Sequence, residues 1–336
     1  MAAMAARDAE LDLLGIGNAI VDVLSRADEA SLAGWGLEKG TMTLIDAGQA
    51  EVLYAATGPG VEVSGGSCAN TIAGAASLGA RVGYIGKVRD DELGRTFAHD
   101  LRAAGVSFRT PAASDGPGTA RCLIVVTPDA QRTMGTYLGA SAELGPDDVD
   151  EALVASAAIT YLEGYLWDPP AAKEAFRKAV EIARGAGRRV ALTLSDPFCV
   201  ERHRDEFSEL IADGVDVLFA NEAELVSLVQ AASFDEAVAA VRGRCEVVAV
   251  TRSELGSVVI TADDVQAVPA AAVEHLIDTT GAGDLYAAGF LHGLTAGRPL
   301  PECAWLGAVA AAEVISHFGA RPQVSLAELA AAAPRP

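Results

Sequence analysis

Short apolar runs alternate with amphipathic stretches from residue 150 onward. The runs are rich in Val, Ile, Leu and Ala, which is typical of strands buried on both faces. They cover residues 158–162, 189–194, 215–220 and 246–251, and helical stretches such as 170–186 separate them. This alternation predicts a doubly wound, mostly parallel α/β sheet with helices on both faces. Ligands bind at the carboxyl ends of the strands in such sheets.

The first half of the chain begins with an apolar run at residue 11 that ends in glycines, Asn18 and Asp22. We expect a buried strand that delivers polar groups at its carboxyl end. The residues that follow predict a small-residue helix over 66–79, a strand over 82–86 and a helix over 91–105. Residues 121–127 and 132–138 flank a Pro-Asp turn with β-branched residues, which predicts a hairpin in a small β appendage.

Composition and net charge argue against several classes of protein. The sequence has 25 Lys and Arg against 46 Asp and Glu, a net charge of −21. We therefore expect no nucleic acid and no anionic membrane as a partner. Five scattered cysteines and five histidines without H-E-x-x-H spacing argue against a disulfide scaffold and a zinc hydrolase. No signal peptide or membrane span is evident, so a cytoplasmic protein is expected, with Ala/Pro-rich, frayed ends at 1–10 and 330–336.

The segment Asp-Thr-Thr-Gly-Ala-Gly-Asp at 278–284 is the strongest chemical signal, and a helical pattern follows it. Glycines at the start of a helix expose backbone N–H groups, and the helix dipole adds partial positive charge, so the turn suits an anion. A carboxylate such as Asp284 would repel a phosphate there. Its presence makes sense as a base that accepts the proton of an attacking hydroxyl; a capping Asp on an ordinary turn is the alternative.

Two other nucleotide-binding motifs are missing. The stretch that ends at Gly86-Lys87 has Arg81 at the upstream glycine position and Val88 at the hydroxyl position, so it is not a P-loop. Gly15 and Gly17 are not followed by a third glycine, because position 20 is Ile, which leaves a dinucleotide-binding fold unsupported.

The segment 278–284 resembles the C-terminal signature of the PfkB/ribokinase family of small-molecule kinases. Gly65-Gly66 with Asn70 resembles the N-terminal signature of that family, and Asn221 with Glu224 resembles its N-x-x-E motif. The three motifs occur in the order found in the family, and the resemblance extends over nearly the whole chain. Stretches at 17–22, 132–138, 194–198 and 217–222 look most like the adenosine kinase branch.

The resemblance implies a ribokinase-like fold and a phosphotransferase that uses ATP. It divides the chain into a large α/β domain (1–22, 65–106 and 139–336, the last with the nucleotide site) and a small β-sheet lid (23–64 and 107–138). It implies catalysis by Asp284, with an anion-binding turn and Arg132 as aids to phosphoryl transfer. The turn comprises Gly281, Ala282, Gly283 and Asp284.

The resemblance also implies a substrate site for a small molecule. Asp22 and Asn70 would bind sugar hydroxyls, with Asn18, Gly65 and Gly66 beside them. A carboxylate accepts from two neighbouring O–H groups, and an amide both donates and accepts. The alternatives are a solvated turn for Asp22 and a helix cap for Asn70. A base pocket would be formed by Met42, Met134, Leu138 and Tyr165, near Trp35, unless several of these are core residues of the lid.

For ATP, the resemblance points to Asn221, Glu224, Thr251, Arg252, Ser253, Gly256 and Thr280. Asn221 and Glu224 would orient water around Mg²⁺, because three-residue spacing puts them on one helix face and Glu224 lies too far along the helix to cap it. A plain N-cap by Asn221 is the alternative. Ser253 stands where the family usually has the first glycine of T-x-G-x-x-G. A potassium site would involve Asp278, Thr280, Ser316 and Gly319.

The favoured reaction is phosphorylation of the 5′-hydroxyl of adenosine to AMP. A kinase of ribose, fructose, a similar sugar or another nucleoside is an alternative within the family, and a catalytically silent ligand-binding protein is one outside it. We expect a monomer or a homodimer, since an exposed lid edge invites pairing.

Overall fold

The structure is a computed structural model that describes residues 9–58, 60–129 and 131–333. The predicted fraying of the ends concerns residues 1–10 and 330–336, of which 1–8 and 334–336 lie outside this range. For 330–332 the prediction is wrong, because they belong to a capped helix, Leu326–Ala332.

Fourteen strands in the described residues form two sheets. In chain order they are β1 (Leu11–Ile16), β2 (Ile20–Arg26), β3 (Met42–Leu44), β4 (Val61–Gly65), β5 (Val82–Ile85), β6 (Ser107–Phe108), β7 (Ala120–Val126), β8 (Arg132–Tyr137), β9 (Ala157–Glu163), β10 (Arg189–Thr193), β11 (Val217–Asn221), β12 (Val247–Thr251), β13 (Ser257–Ile260) and β14 (Val265–Val268). The four strands predicted in the second half are confirmed as β9 to β12.

The large sheet has nine strands in the order β14-β13-β12-β11-β10-β9-β1-β5-β6. Neighbours from β12 to β6 are parallel, and only β13 and β14 add antiparallel pairs. All seven residues of β9 are buried, because helices cover both faces of the sheet. The doubly wound, ribokinase-like fold is thereby confirmed.

Twelve α-helices lie within the described residues. They are α1 (Glu29–Gly34), α2 (Ala47–Ala56), α3 (Ser67–Ser77), α4 (Glu92–Ala103), α5 (Glu151–Ser156), α6 (Pro170–Gly185), α7 (Pro197–Gly214), α8 (Glu222–Val229), α9 (Phe234–Val241), α10 (Ala282–Thr295), α11 (Leu300–Val314) and α12 (Leu326–Ala332). One core cluster packs α3, α10 and α11 on one face of the large sheet. A second cluster packs α6, α7 and α8 on the other. In this part of the chain no helix is long and apolar enough to cross a membrane.

The small sheet has five strands in the order β3-β8-β7-β2-β4. The predicted hairpin is its antiparallel pair β7–β8. Two of the proposed domain boundaries, at residues 22/23 and 106/107, do not coincide with the division into sheets. Strand β2 begins at Ile20, so Asp22 lies within the small sheet rather than at the carboxyl end of the first strand, and β6 pairs with β5 in the large sheet. We call the small sheet with α1 and α2 the lid.

Candidate active site

The glycine turn before α10 presents unpaired backbone donors. Gly281 caps the helix with a φ of 80°, a conformation that side chains other than glycine rarely adopt. The Ala282 N–H donates to the Thr279 carbonyl at 3.2 Å. The N–H groups of Gly283 and Asp284 have no acceptor among the described residues. Together with the dipole of a 14-residue helix, these two donors form a site for an anionic group.

Asp284 lies in the first turn of α10 and is held by two residues of α3. The Ser67 hydroxyl donates to Oδ1 at 2.6 Å, and the Asn70 amide donates to Oδ2 at 2.9 Å. Burial raises the pKa of Asp284, although both hydrogen bonds and the charge of Arg321 oppose the rise. A carboxylate whose pKa lies closer to neutrality is a better proton acceptor, so the geometry suits a general base.

Asn70 has a free acceptor in the same pocket. Its side chain is 5% exposed, and its Oδ1 is buried without a hydrogen-bond partner among the described residues. An unpaired buried carbonyl oxygen costs about 1–3 kcal/mol, which a substrate hydroxyl can recover by donating to it. The amide of Asn70 thus links Asp284 to a position where a hydroxyl can bind.

Asp22 lies on the lid strand β2, close enough to Asp284 for their charges to interact. Burial raises its pKa to about 7, with the charge of Asp284 adding to the rise and those of Arg321 and Arg132 opposing it. A Cβ at Gly65 would overlap the Asp22 carboxylate, so glycine at this position lets the carboxylate keep its place. Gly66 combines a φ of 90° with close contact to the Asn18 carbonyl, which likewise excludes a side chain.

Asn18 is hydrogen-bonded within the protein. It is 2% exposed, its Nδ2 donates to Glu163 at 2.7 Å and its Oδ1 accepts from Ser141 at 2.9 Å. Asn18 therefore positions Glu163, and its predicted contact with a substrate stays a prediction. The Glu163 carboxylate also accepts from the Cys68 N–H at 2.8 Å, and burial raises its pKa to about 7.

Arg132 connects the lid to the glycine turn. Its guanidinium pairs with the Asp278 carboxylate at 2.6 Å and donates to the Thr280 hydroxyl at 2.9 Å. The guanidinium also lies 5.7 Å from the ring centre of Phe318. The structure therefore brings this predicted cation to the anion-binding turn, as proximity to a transferred phosphoryl group requires.

The four residues of the predicted base pocket come from two parts of the fold. Met42 and Met134 are paired neighbours on the parallel strands β3 and β8, and Met42 is 45% exposed. Leu138 follows β8 directly. Tyr165 follows β9 in the large domain, where burial and the nearby charges of Asp196 and Asp284 raise its pKa. Trp35 packs partly buried against the core of the lid.

Asn221 and Glu224 form a reciprocal capping box at the start of α8. Asn221 Oδ1 accepts from the Glu224 N–H at 2.9 Å, and the Glu224 carboxylate accepts from both the backbone and the side chain of Asn221. The expectation that Glu224 lies too far along the helix to cap it is therefore wrong, because it is the third helical residue. Burial raises its pKa to about 7, and the charge of Asp196 adds to the rise.

The chain matches the model of a known protein family. The model described as pfkB family carbohydrate kinase matches residues 47–326. The chain is a member of the PfkB family. It is a phosphotransferase with an alcohol group as acceptor, and among PfkB kinases it is most like adenosine kinase.

Three relatives illustrate the range within the family. The adenosine kinase from Sinorhizobium meliloti is 53% identical, with a TM-score of 0.90 over 96% of this chain and 99% of that one. A probable sugar kinase from Rhizobium etli is 48% identical, with a TM-score of 0.90 over 96% and 98%. The 5-dehydro-2-deoxygluconokinase of Geobacillus thermodenitrificans is 30% identical over 75% of this chain and 78% of its own length.

The predicted nucleotide loop departs from the PfkB pattern in sequence at Ser253. Thr251 ends β12, Ser253 adopts a left-handed φ of 50°, and the Arg252 N–H donates to the Gly256 carbonyl at 2.8 Å. The Arg252 side chain pairs with Glu222 and stacks 4.1 Å from the ring centre of Phe234. Ser253 therefore has a backbone conformation that glycine adopts easily. Arg252 packs against α8 and α9.

Replacing Ser253 with glycine tests this loop. Removing Cβ relieves a left-handed strain of about 1–2 kcal/mol, but glycine adds a similar entropy to the unfolded chain. We expect the free energy of unfolding to change by less than about 1 kcal/mol and the KM for ATP to stay the same. Urea unfolding and steady-state kinetics measure the two quantities. A several-fold change in the KM for ATP would show that the serine side chain contacts the nucleotide.

The residues of the predicted potassium site are brought together in part. The Asp278 carboxylate accepts from the N–H and hydroxyl of Thr280 at 3.1 and 2.7 Å and from the Gly319 N–H at 3.0 Å. The Ser316 hydroxyl donates to the Glu313 carbonyl at 2.6 Å. Within the described residues no cluster of three His, Cys, Asp or Glu side chains could hold a metal ion. A potassium requirement stays a prediction.

Sequence reasoning missed three residues of this site, namely Ser67, Glu163 and Arg321. Glu163 ends an apolar strand, so the rule that ligands bind at the carboxyl ends of parallel strands could have found it. Ser67 directly follows the glycine pair at the start of α3. Arg321 carries no comparable signal, since its contacts are with residues more than 250 positions away.

Proposed function

We propose that the protein transfers the γ-phosphoryl group of ATP to the 5′-hydroxyl of adenosine, giving AMP and ADP. The observation that carries this proposal is the position of Asp284, next to two free N–H donors and hydrogen-bonded to Ser67 and Asn70. A base beside an anion-binding turn can accept the hydroxyl proton while the donors stabilise the moving phosphoryl group.

The acceptor would bind between the lid and the large domain. The Asp22 carboxylate and the free Oδ1 of Asn70 supply acceptors for ribose hydroxyls. The Met42–Met134 pair of the lid and Tyr165 supply apolar and aromatic surface, which suits a flat purine better than a bare sugar. Identity of 53% with an adenosine kinase across 96% of the chain supports the same acceptor.

ATP and Mg²⁺ would occupy the carboxyl edge of β11 and β12. Asn221 and Glu224 fit a role beside a hydrated Mg²⁺, because Glu224 is a buried acid next to the negative charge of Asp196, and a cation would stabilise both. The ion would supply positive charge to the nucleotide phosphates. Arg132 and the turn at Gly281–Asp284 would orient the transferred group, and the lid would exclude water so that ATP is not hydrolysed. A cytoplasmic monomer or homodimer is the form we expect.

The decisive experiment is ADP release by the purified protein with Mg·ATP and K⁺. The acceptors are adenosine, inosine, guanosine, cytidine, ribose, fructose and none, and the Asp284→Asn variant serves as a control for contaminating kinases. We expect adenosine to give the highest kcat/KM. A preference for a free sugar would refute the base pocket but keep the phosphate site, and lack of turnover with every acceptor would refute the proposed activity.

A sugar kinase is the second candidate, since two of the three relatives described above carry sugar kinase names. The feature that favours it is the 45% exposure of Met42, because a residue of a base pocket is expected to be more enclosed by the protein. Comparing adenosine with ribose as acceptor in the same assay separates the two.

A further inference from the structure

Arg321 binds the junction between lid strand β4 and helix α3. Its Nε and one terminal nitrogen donate to the carbonyl and hydroxyl oxygens of Ser64, each at 3.1 Å. The other terminal nitrogen donates to the Ala69 carbonyl at 2.5 Å. Ser64 is also held from its other side, because its N–H donates to the Asp100 carboxylate at 2.9 Å. The guanidinium thus joins the end of the lid strand β4 to the first turn of α3.

This junction carries the groups that position both the acceptor and the base. Gly65 follows Ser64 and lies against the Asp22 carboxylate. Ser67 and Asn70, in the first turn of α3, hold the two carboxylate oxygens of Asp284. A shift of about 1 Å in a positioning group can cost 10²-fold in rate, so a tether at this point controls the geometry of the whole site.

Arg321 also supplies positive charge to the acidic pocket around Asp284. The titratable groups that face Asp284 come from β2, α3, β9, the turn after β9 and the C-terminal segment. They are Asp22, Cys68, Tyr161, Glu163, Tyr165 and Arg321. Burial keeps the thiol and the two phenols neutral, and it lowers the pKa of Arg321 only to about 10. Among these six groups Arg321 therefore carries the positive charge at neutral pH.

We propose that Arg321 is a positioning residue of the active site, which fixes the junction between β4 and α3 and supplies positive charge that balances Asp284 and, together with Arg132, Asp22. The proposal rests on the proposed kinase function for its effect on catalysis, but not for its effect on the junction. It assigns a role to a residue that lies outside the three motifs of the family signature.

The test compares Arg321→Met with Arg321→Lys and with a matched control, Arg102→Met. Arg102 makes the same kind of tether, from Nε and a terminal nitrogen to the Phe108 carbonyl, at the end of α4. Loss of the positive charge in Arg321→Met should raise the pKa of Asp284. We expect the acid limb of the kcat/KM–pH profile to shift by about one unit to higher pH. Activity below the limb then falls about tenfold and recovers at high pH. Arg321→Lys keeps the charge and should keep the limb in place.

The second readout does not depend on activity. Amide hydrogen exchange of residues 61–70 should become faster in Arg321→Met and stay unchanged in Arg102→Met, because local opening follows the loss of local tethers. A wild-type pH profile together with unchanged exchange in Arg321→Met would overturn the proposal. If the wild-type protein phosphorylates none of the acceptors, the proposed function fails, and the exchange experiment still decides whether Arg321 fixes the junction.

Discussion

Replacing Asp284 with asparagine should lower kcat by about 10²–10⁴-fold, the usual range for loss of a general base. Asparagine has the same shape and can still accept from Ser67. Its amide nitrogen cannot accept from the Asn70 amide, but rotation of the Asn70 amide by about 180° brings the free Oδ1 of Asn70 to it as an acceptor, so the pocket stays intact. It cannot accept the proton of the attacking hydroxyl. The KM for ATP should stay close to that of the wild type, because the backbone donors of the turn are unaffected. Steady-state kinetics with both substrates measures this.

The pH dependence gives a second check on the same residue. Burial raises the pKa of Asp284, and the base works only when it is deprotonated. Activity of the wild type should therefore fall as pH decreases through the raised pKa, and the protonation of Asp22 near pH 7 should add to this fall. Asp12→Asn is the matched control, since Asp12 pairs with Arg81 at the start of β1. An Asp284→Asn variant with the kcat of the wild type would exclude Asp284 as the base.

Replacing Asp22 with alanine should raise the KM for the acceptor by about 10²-fold or more, because hydrogen bonds to a charged group contribute about 1.5–3 kcal/mol each. The KM for ATP should change little, since Asp22 lies in the lid and the proposed nucleotide residues lie at the edge of the large sheet. Initial rates over a matrix of both substrate concentrations separate the two constants.

Glu62→Ala is the control for that variant. Glu62 is a second acid of the lid, on the neighbouring strand β4, and its carboxylate accepts from the Tyr54 hydroxyl away from the site. It should leave both KM values unchanged. If Asp22→Ala weakened binding of ATP and of the acceptor equally, Asp22 would have a structural role in the lid rather than a role in acceptor binding.

The sequence predicted those parts of the fold and site that depend on local patterns. The apolar runs predicted β9 to β12, and the glycine motif predicted the turn before α10. Pairing between distant segments could not be predicted from local patterns. Asn18 follows an apolar strand, and its partner Glu163 is 145 positions away in the chain. The N-x-x-E spacing was interpreted as a magnesium motif, with an N-cap by Asn221 as the alternative. The part of the interpretation that failed was the exclusion of Glu224 from the cap, because a reciprocal capping box has the same spacing.

The division of the site between two sheets has a consequence for how enzymes of this kind diversify. Of the acceptor contacts that we propose, Asp22, Met42 and Met134 belong to strands of the lid, and Asn70 and Tyr165 belong to the large domain. Asp284, the glycine turn and the nucleotide loop belong to the large sheet and its helices. Substitutions in a few short strands could therefore exchange one alcohol for another while the phosphate chemistry is inherited unchanged. A chimera that carries the lid of a sugar kinase on this large domain would be expected to adopt the acceptor preference of the donor of the lid.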